Sequence, residues 1–262
     1  MAALPNHILA IDAGNTRVKW GLFDKAGNIT NQGACLHTEL AQLTLPAASK
    51  TVISNVAGNG VETHLRSLLH QHDNVQVITS QAVACGVQNH YTLPAKLGTD
   101  RWAALIAAWH LKQAPCVVVN AGTAVTIDAL ENAMFNGGLI IPGMDLMQQS
   151  LYLATAQLPI QAARDDVEID ILARNTHDAI FAGALYAISG AIIQMAQTLH
   201  AKTQHAPWIL ISGGNAAIIH RHVLKAYSTV DVTSHAVIVD NLVLQGLFLL
   251  GNDKNIDNNY AK

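Results

Sequence analysis

Charge is scarce in this chain. Only 13% of its 262 residues are charged, and the formal net charge is −3. With so few cations and no basic stripe, no nucleic-acid partner is expected. Cysteine is scarcer still. Cys35, Cys85 and Cys116 are odd in number and scattered, which fits a reduced, cytoplasmic protein better than a disulfide scaffold. Cys116 lies in an apolar strand and reads as a small core residue. No apolar run reaches membrane-spanning length, 103–109 and 247–250 being core-sized. The N-terminus lacks a basic segment followed by an apolar one, so no signal peptide is expected. Metal-site spacings are missing too. His70/His72 and His220/His222 form close pairs, but no Cys or carboxylate stands at zinc-site spacing from them, and solvated faces are the expectation.

What the chain has is core. Half of its residues are hydrophobic, and the length favours two domains or one large one. The first stretch with chemistry in it is 8–24. Ile8 to Ile11 read as a buried strand with Asp12 at its end, Gly14 and Asn15 as a turn, and residues 16–24 as a returning strand. Such a hairpin offers successive main-chain N–H donors to an anion, and glycine permits close approach. Asp12 suits a hydrated magnesium ion and Lys19 a compensating cation. An ordinary hairpin with a turn glycine explains this stretch alone equally well.

Further strands are expected near 28–35, at 51–56 and at 74–79, with helices at 61–71 and from Asp100 to Gln113. Tyr91 and Pro94 fall in the loop before that second helix. The second half restarts with strands 116–119, 123–129 and 134–141, then a helix after Pro142-Gly143 and an irregular stretch at 157–174. A long helix near 175–200, a strand at 208–211 and two closing helical stretches follow. A polar, asparagine-rich tail ends the chain.

The halves match. Ile11-Asp12-Ala13-Gly14-Asn15-Thr16 aligns with Val119-Asn120-Ala121-Gly122-Thr123-Ala124, and Val52-Ile53-Ser54-Asn55 has its counterpart in Leu210-Ile211-Ser212-Gly213. A repeat of this length means duplicated domains, residues 1–114 and 115–251, with 252–262 as the tail. Two mixed α/β domains facing each other would bring both glycine turns and Gly213-Gly214 to one cleft.

This arrangement resembles the acetate and sugar kinase/heat-shock-70/actin superfamily, and within it the type III pantothenate kinases. The resemblance rests on Asp12 to Thr16 with Lys19-Trp20, Tyr91 to Pro94, Leu97 to Trp102, Asn120 to Ala124, Gly137 to Gly143, Asn175-Thr176 and Ser212 to Ala216. It implies a fold of two duplicated ribonuclease-H-like (actin-like ATPase) domains and transfer of the ATP γ-phosphoryl group to pantothenate. It also implies that Asp12 helps hold Mg²⁺, and that Ala13, Gly14, Asn15, Thr16, Arg17, Val18, Lys19, Gly122 and Thr123 cradle the phosphates. Gly213 and Gly214 belong to the adenosine segment. Asp100 would be the catalytic carboxylate, with Tyr91, Gly98, Thr99, Arg101 and Thr176 around pantothenate.

Asp100 reads equally well as a helix N-cap, and Arg101 as half of a structural salt bridge. A homodimer is implied, the apolar helix 177–200 being a candidate surface or else internal core. Where the family's second turn begins with an aspartate that ligates a monovalent cation, this chain has Asn120, so a K⁺ or NH₄⁺ requirement is expected to weaken. The rival reading is a nucleotide-binding transcriptional accessory protein of the Bvg accessory factor type.

Overall fold

Ile8, Leu9, Ala10 and Ile11 are all buried, as an unbroken apolar run requires of a strand covered on both faces. They belong to β1 (Ile8–Ala13), which pairs antiparallel with β2 (Arg17–Phe23) and parallel with β4 (Lys50–Asn55). With β3 (Ile29–Leu36) and β5 (Val75–Val77) they form a sheet in the order β3-β2-β1-β4-β5. The computed structural model describes residues 7–154, 170–228 and 235–253. Most of the irregular stretch expected at 157–174 lies outside these residues, as does the tail from 254.

The chain divides into two units. The first comprises Met1–Leu111, Ala133–Phe135 and Asn241–Lys262, and the second Lys112–Asn132 and Asn136–Asp240. In the first, α1 (Asn59–Leu68) buries Val61 and Leu65 against the sheet core formed by Leu9, Ile11, Val18 and Ile53. Two short strands, β6 (Val83–Ala84) and β7 (Val87–Asn89), and α2 (Thr99–Lys112) follow.

The second unit repeats the plan. β8 (Cys116–Ala121) pairs antiparallel with β9 (Ala124–Glu131), which leads into β10 (Met134–Pro142) and α3 (Met144–Ala154). After α4 (Thr176–Thr203), β11 (Trp208–Ser212) pairs parallel with β8. α5 (Ala216–Ala226) and β12 (Ala236–Ile238) complete it. The order β10-β9-β8-β11-β12 matches that of the first unit. The first residues of β10, Met134 and Phe135, belong to the first unit, where they pair with Gln88 and Asn89.

Three expectations are corrected. The last described helix, α6 (Leu242–Asn252), expected in the second domain, packs on β1 and β4 of the first unit. Phe248 stacks on Phe23 with centroids 5.0 Å apart, and Lys50 Nζ donates to the Gly251 carbonyl at 2.6 Å. Among the described residues one helix is long and apolar enough to cross a membrane, against the sequence reading: α4, with 28 residues and a mean hydropathy of 1.7 over its most apolar 18. Its Leu185, Ile188 and Ile192 are fully buried in the second unit's core, so that face is internal. The histidine pair His220/His222 is not wholly solvated. His222 is buried, its Nδ1 lies 2.9 Å from Ser189 Oγ, and burial lowers its pKa. Cys116 is fully buried, and all three cysteines are free.

Candidate active site

Asp12 is the last polar residue of β1 before the hairpin turn. It stands opposite Lys19 on β2 and opposite Ser54 on β4. Alternation along the strands sends Ala13 and Val18 into the core and leaves Arg17 and Lys19 exposed. Ala13 and Val18 therefore have only their main chain to offer a phosphate. The turn is closed by the Gly14 N–H, which donates to the Arg17 carbonyl at 3.1 Å, and Asn15 and Thr16 are exposed at its tip.

The Asp12 carboxyl is pushed up to about 7. Burial is the main cause and the nearby Asp100 charge the second, while Lys19 and a Ser54 hydrogen bond pull the other way. Its Oδ1 is buried without a hydrogen-bond partner. Such an oxygen ordinarily finds a donor or a cation, so this one fits a hard divalent ion or a water held by it. Among the described residues no cluster of three His, Cys, Asp or Glu is placed to hold a metal alone. An ion bound here would complete its shell with water or substrate oxygens, as Mg²⁺ commonly does.

Asp100 is the second residue of α2. The helix starts two residues earlier than a cap at Asp100 requires, because the Trp102 N–H donates to the Gly98 carbonyl at 2.9 Å. The N-cap reading is thereby corrected, and a carboxylate in the first turn still benefits from the helix dipole. A Cβ at Gly98 would sit 2.6 Å from Asp100 Oδ1, so glycine leaves that space to the carboxylate. Burial raises the Asp100 pKa, and the Arg101 N–H and guanidinium oppose the rise. Thr99 Oγ1 is 2.8 Å from Ser54 Oγ. These two hydroxyls link the start of α2 to the residue beside Asp12.

Arg101 is only 5% exposed. Its guanidinium carbon lies 5.8 Å from the Tyr91 ring centroid and 5.6 Å from that of Phe135, and the two rings stack at 6.1 Å. The Tyr91 loop is tied down by buried Asn89, whose Oδ1 accepts from the Tyr91 N–H at 3.0 Å. The Asn89 Nδ2 donates to the carbonyls of Gln81 and Pro94. Asp12, Lys19, Tyr91, Gly98, Thr99, Asp100 and Arg101 thus all belong to the first unit.

The second unit gathers the others. Asn120 pairs with Ser212 as Asp12 pairs with Ser54, so the two hairpins are built alike. The Gly122 N–H donates to the Ala124 carbonyl at 3.1 Å, and the Gly143 N–H to that of Thr123 at 2.8 Å. A Cβ at Gly143 would collide with the Gly122 and Thr123 carbonyl oxygens. Gly213, at φ +106, lies against the Ala121 main chain, and the Asn215 N–H donates to the Ala121 carbonyl at 3.2 Å. The turn 122–123, Gly143 and Gly213-Gly214 therefore form one glycine-lined corner. Thr176 opens α4, whose cap is Asn175, with Oδ1 accepting from the Asp178 N–H at 2.9 Å. The sequence reading assigned no role to Ser54, Asn89 or Phe135. Only Ser54 left a signal, its alignment with Ser212.

The profile of the type III pantothenate kinase family matches residues 8–198. A type III pantothenate kinase of Nitrosospira multiformis is 43% identical over 253 residues, covering 94% of this chain and 91% of that protein. One from Nitrosomonas eutropha is 36% identical, covering 96% and 97%. Among solved structures, a Campylobacter jejuni protein described as of the Baf family of transcriptional activators aligns with a TM-score of 0.56. It is 20% identical, and the match covers 92% of this chain and 95% of that one. The ethanolamine utilization protein EutJ of Carboxydothermus hydrogenoformans aligns at 0.52 with 10% identity, covering 95% and 91%. Likeness at that level of identity speaks for the fold alone. Over nearly its whole length, the chain is a member of the type III pantothenate kinase family.

Proposed function

We propose that this protein transfers the γ-phosphoryl group of ATP to the primary hydroxyl of pantothenate, giving 4′-phosphopantothenate at the start of coenzyme A biosynthesis. The observation that carries the reading is the pair Asp12 and Asp100, two shielded carboxyls with raised pKa values beside an anion-binding turn. Phosphoryl transfer has a loose transition state, so positioning and charge neutralisation supply most of the rate. Main-chain donors of residues 13–19, with Lys19, hold phosphate oxygens, and Gly122 and Thr123 do so from the second hairpin. Gly213 and Gly214 make room for the adenosine.

Asp12 would hold Mg²⁺, which when bound neutralises phosphate charge. Asp100 orients the pantothenate hydroxyl and takes its proton late, since an alcohol is a weak acid. Tyr91, Thr176, Gly98, Thr99 and Arg101 shape the pantothenate site. Arg101 is buried against two stacked aromatic rings, which suits an orienting role over that of a mobile clamp. Asn120 offers the monovalent-cation position an amide oxygen and no charge, so we infer a weak K⁺ or NH₄⁺ requirement. We also infer a cytoplasmic homodimer with no membrane or nucleic-acid partner. Support for the dimer comes from apolar side chains that the second unit leaves exposed, Ile140 on β10 and Leu146 and Leu153 on α3 among them.

The test is ADP release by purified protein with and without pantothenate, with the product identified by mass. Pantothenate-dependent release is expected. ATP turnover that pantothenate does not stimulate overturns the assignment.

A further inference from the structure

The exit of the third strand reaches the hairpin turn in both units, but by different chemistry. In the second unit the residue after β10 is Gly143, whose main-chain N–H donates to the Thr123 carbonyl. In the first unit the residue after β3 is His37, whose Nε2 lies 2.8 Å from the Gly14 carbonyl oxygen. A carbonyl only accepts, so Nε2 must carry the proton. We propose that His37 is a positioning residue for nucleotide binding: its imidazole N–H fixes the Gly14 carbonyl and so aims the Asn15 main-chain N–H at the ATP phosphates. The identity of the ligand rests on the function proposed above, and the contact itself rests on the geometry.

The peptide between Gly14 and Asn15 is planar and trans, so its C=O and N–H point in opposite directions. Holding the carbonyl therefore sets the direction of the donor. The bond from the Gly14 N–H to Arg17 restrains the peptide before Gly14, but among the described residues no main-chain bond restrains the one after it. Glycine lacks the Cβ that would limit its rotation, and an anion nest works only when its N–H groups converge.

His37 is well placed to supply the restraint. It is half-buried, and the turn that carries it is fixed at both ends. The Leu36 N–H donates to Glu39 Oε2 at 2.8 Å, and Leu40 is buried in the first unit's core. In the second unit the strand exit lies close enough for a main-chain bond, and glycine at 143 is what permits that approach. In the first unit an imidazole makes the reach, to the carbonyl of Gly14, one residue before the counterpart of Thr123.

The test compares wild type, His37→Ala and His37→Gln by KM for Mg-ATP, KM for pantothenate, nucleotide Kd from calorimetry and unfolding midpoint. Loss of one hydrogen bond predicts a rise of about 3- to 10-fold in KM and Kd for ATP in His37→Ala, with KM for pantothenate unchanged. His37→Gln should recover most of the loss, because its side-chain amide also donates. ATP affinity unchanged in His37→Ala overturns the proposal. So does a loss shared by both substrates together with a lowered midpoint, or a glutamine variant no better than alanine at an unchanged midpoint. If wild type binds Mg-ATP without pantothenate-dependent turnover, the function proposed above fails, and the nucleotide Kd values still decide the role of His37.

Discussion

Replacing Asp12 by Asn should make the ligand-free protein more stable at alkaline pH. An ordinary carboxyl at 3.8 raised to about 7 corresponds to roughly 4 kcal/mol, at about 1.4 kcal/mol per pH unit. Asp12 is only partly buried as a residue, so about 2–4 kcal/mol is the working range. Below pH 3.8 the group is protonated in folded and unfolded chains alike. Between 3.8 and 7 the unfolded chain ionises while the folded one keeps its proton, so stability falls as pH rises. Above 7 the loss is complete. Asp12→Asn removes this slope, since an amide does not titrate.

Urea unfolding without Mg²⁺ at pH 5 and pH 8 reads the effect. Trp20, Trp102 and Trp109 all belong to the first unit, so tryptophan fluorescence reports mainly on it. The variant should gain at pH 8 and gain clearly less at pH 5, and it should lose Mg²⁺-dependent ATP binding. No gain at pH 8, or an equal gain at both pH values, would show that Asp12 is not held in a desolvated, charge-opposed site.

Three further outcomes are expected. Asp100→Asn should lower turnover on the order of 10²–10⁴-fold while ATP affinity measured by calorimetry stays near wild type, because the side chain is nearly isosteric. Affinity lost with activity would place Asp100 in the phosphate site instead. Gly143→Ala drives a Cβ into the carbonyls of Gly122 and Thr123 and should weaken nucleotide binding about tenfold or more; wild-type affinity would mean that the second turn does not touch the nucleotide. Asn120→Asp should increase the dependence of rate on K⁺, compared in K⁺, NH₄⁺ and Na⁺ buffers of equal ionic strength. A wild type nearly inactive without K⁺ would refute the charge argument.

The hairpins were legible because their signal is local. An apolar run, an acidic or amide residue and a glycine turn recur in both halves, and the register confirms the alignment, with Asp12 beside Ser54 and Asn120 beside Ser212. Strands β6 and β7 were missed, since two or three residues are too few to show a period. The partner of α6 was also hidden: Leu242, Leu247 and Leu250 declare a buried face without saying which sheet buries it. The contact of His37 with Gly14 spans 23 positions and follows no spacing rule. Asp100 was found through the resemblance. Its place one residue inside the helix depends on the Gly98 carbonyl serving as the first acceptor, which composition does not reveal.

The return of α6 to the first unit governs how the protein can be made. The sheet that carries Asp12 is translated first, yet the helix that covers β1 and β4 is the last of the described elements to emerge. The second unit, complete at residue 240, can fold on a nascent chain while its predecessor still exposes an apolar face. Gly246 marks how closely that late arrival must seat, since a Cβ there would strike the Ala103 carbonyl. A ribosome stalled before residue 242 would therefore present a finished second hairpin and an uncovered first one, a substrate for chaperones rather than for ATP.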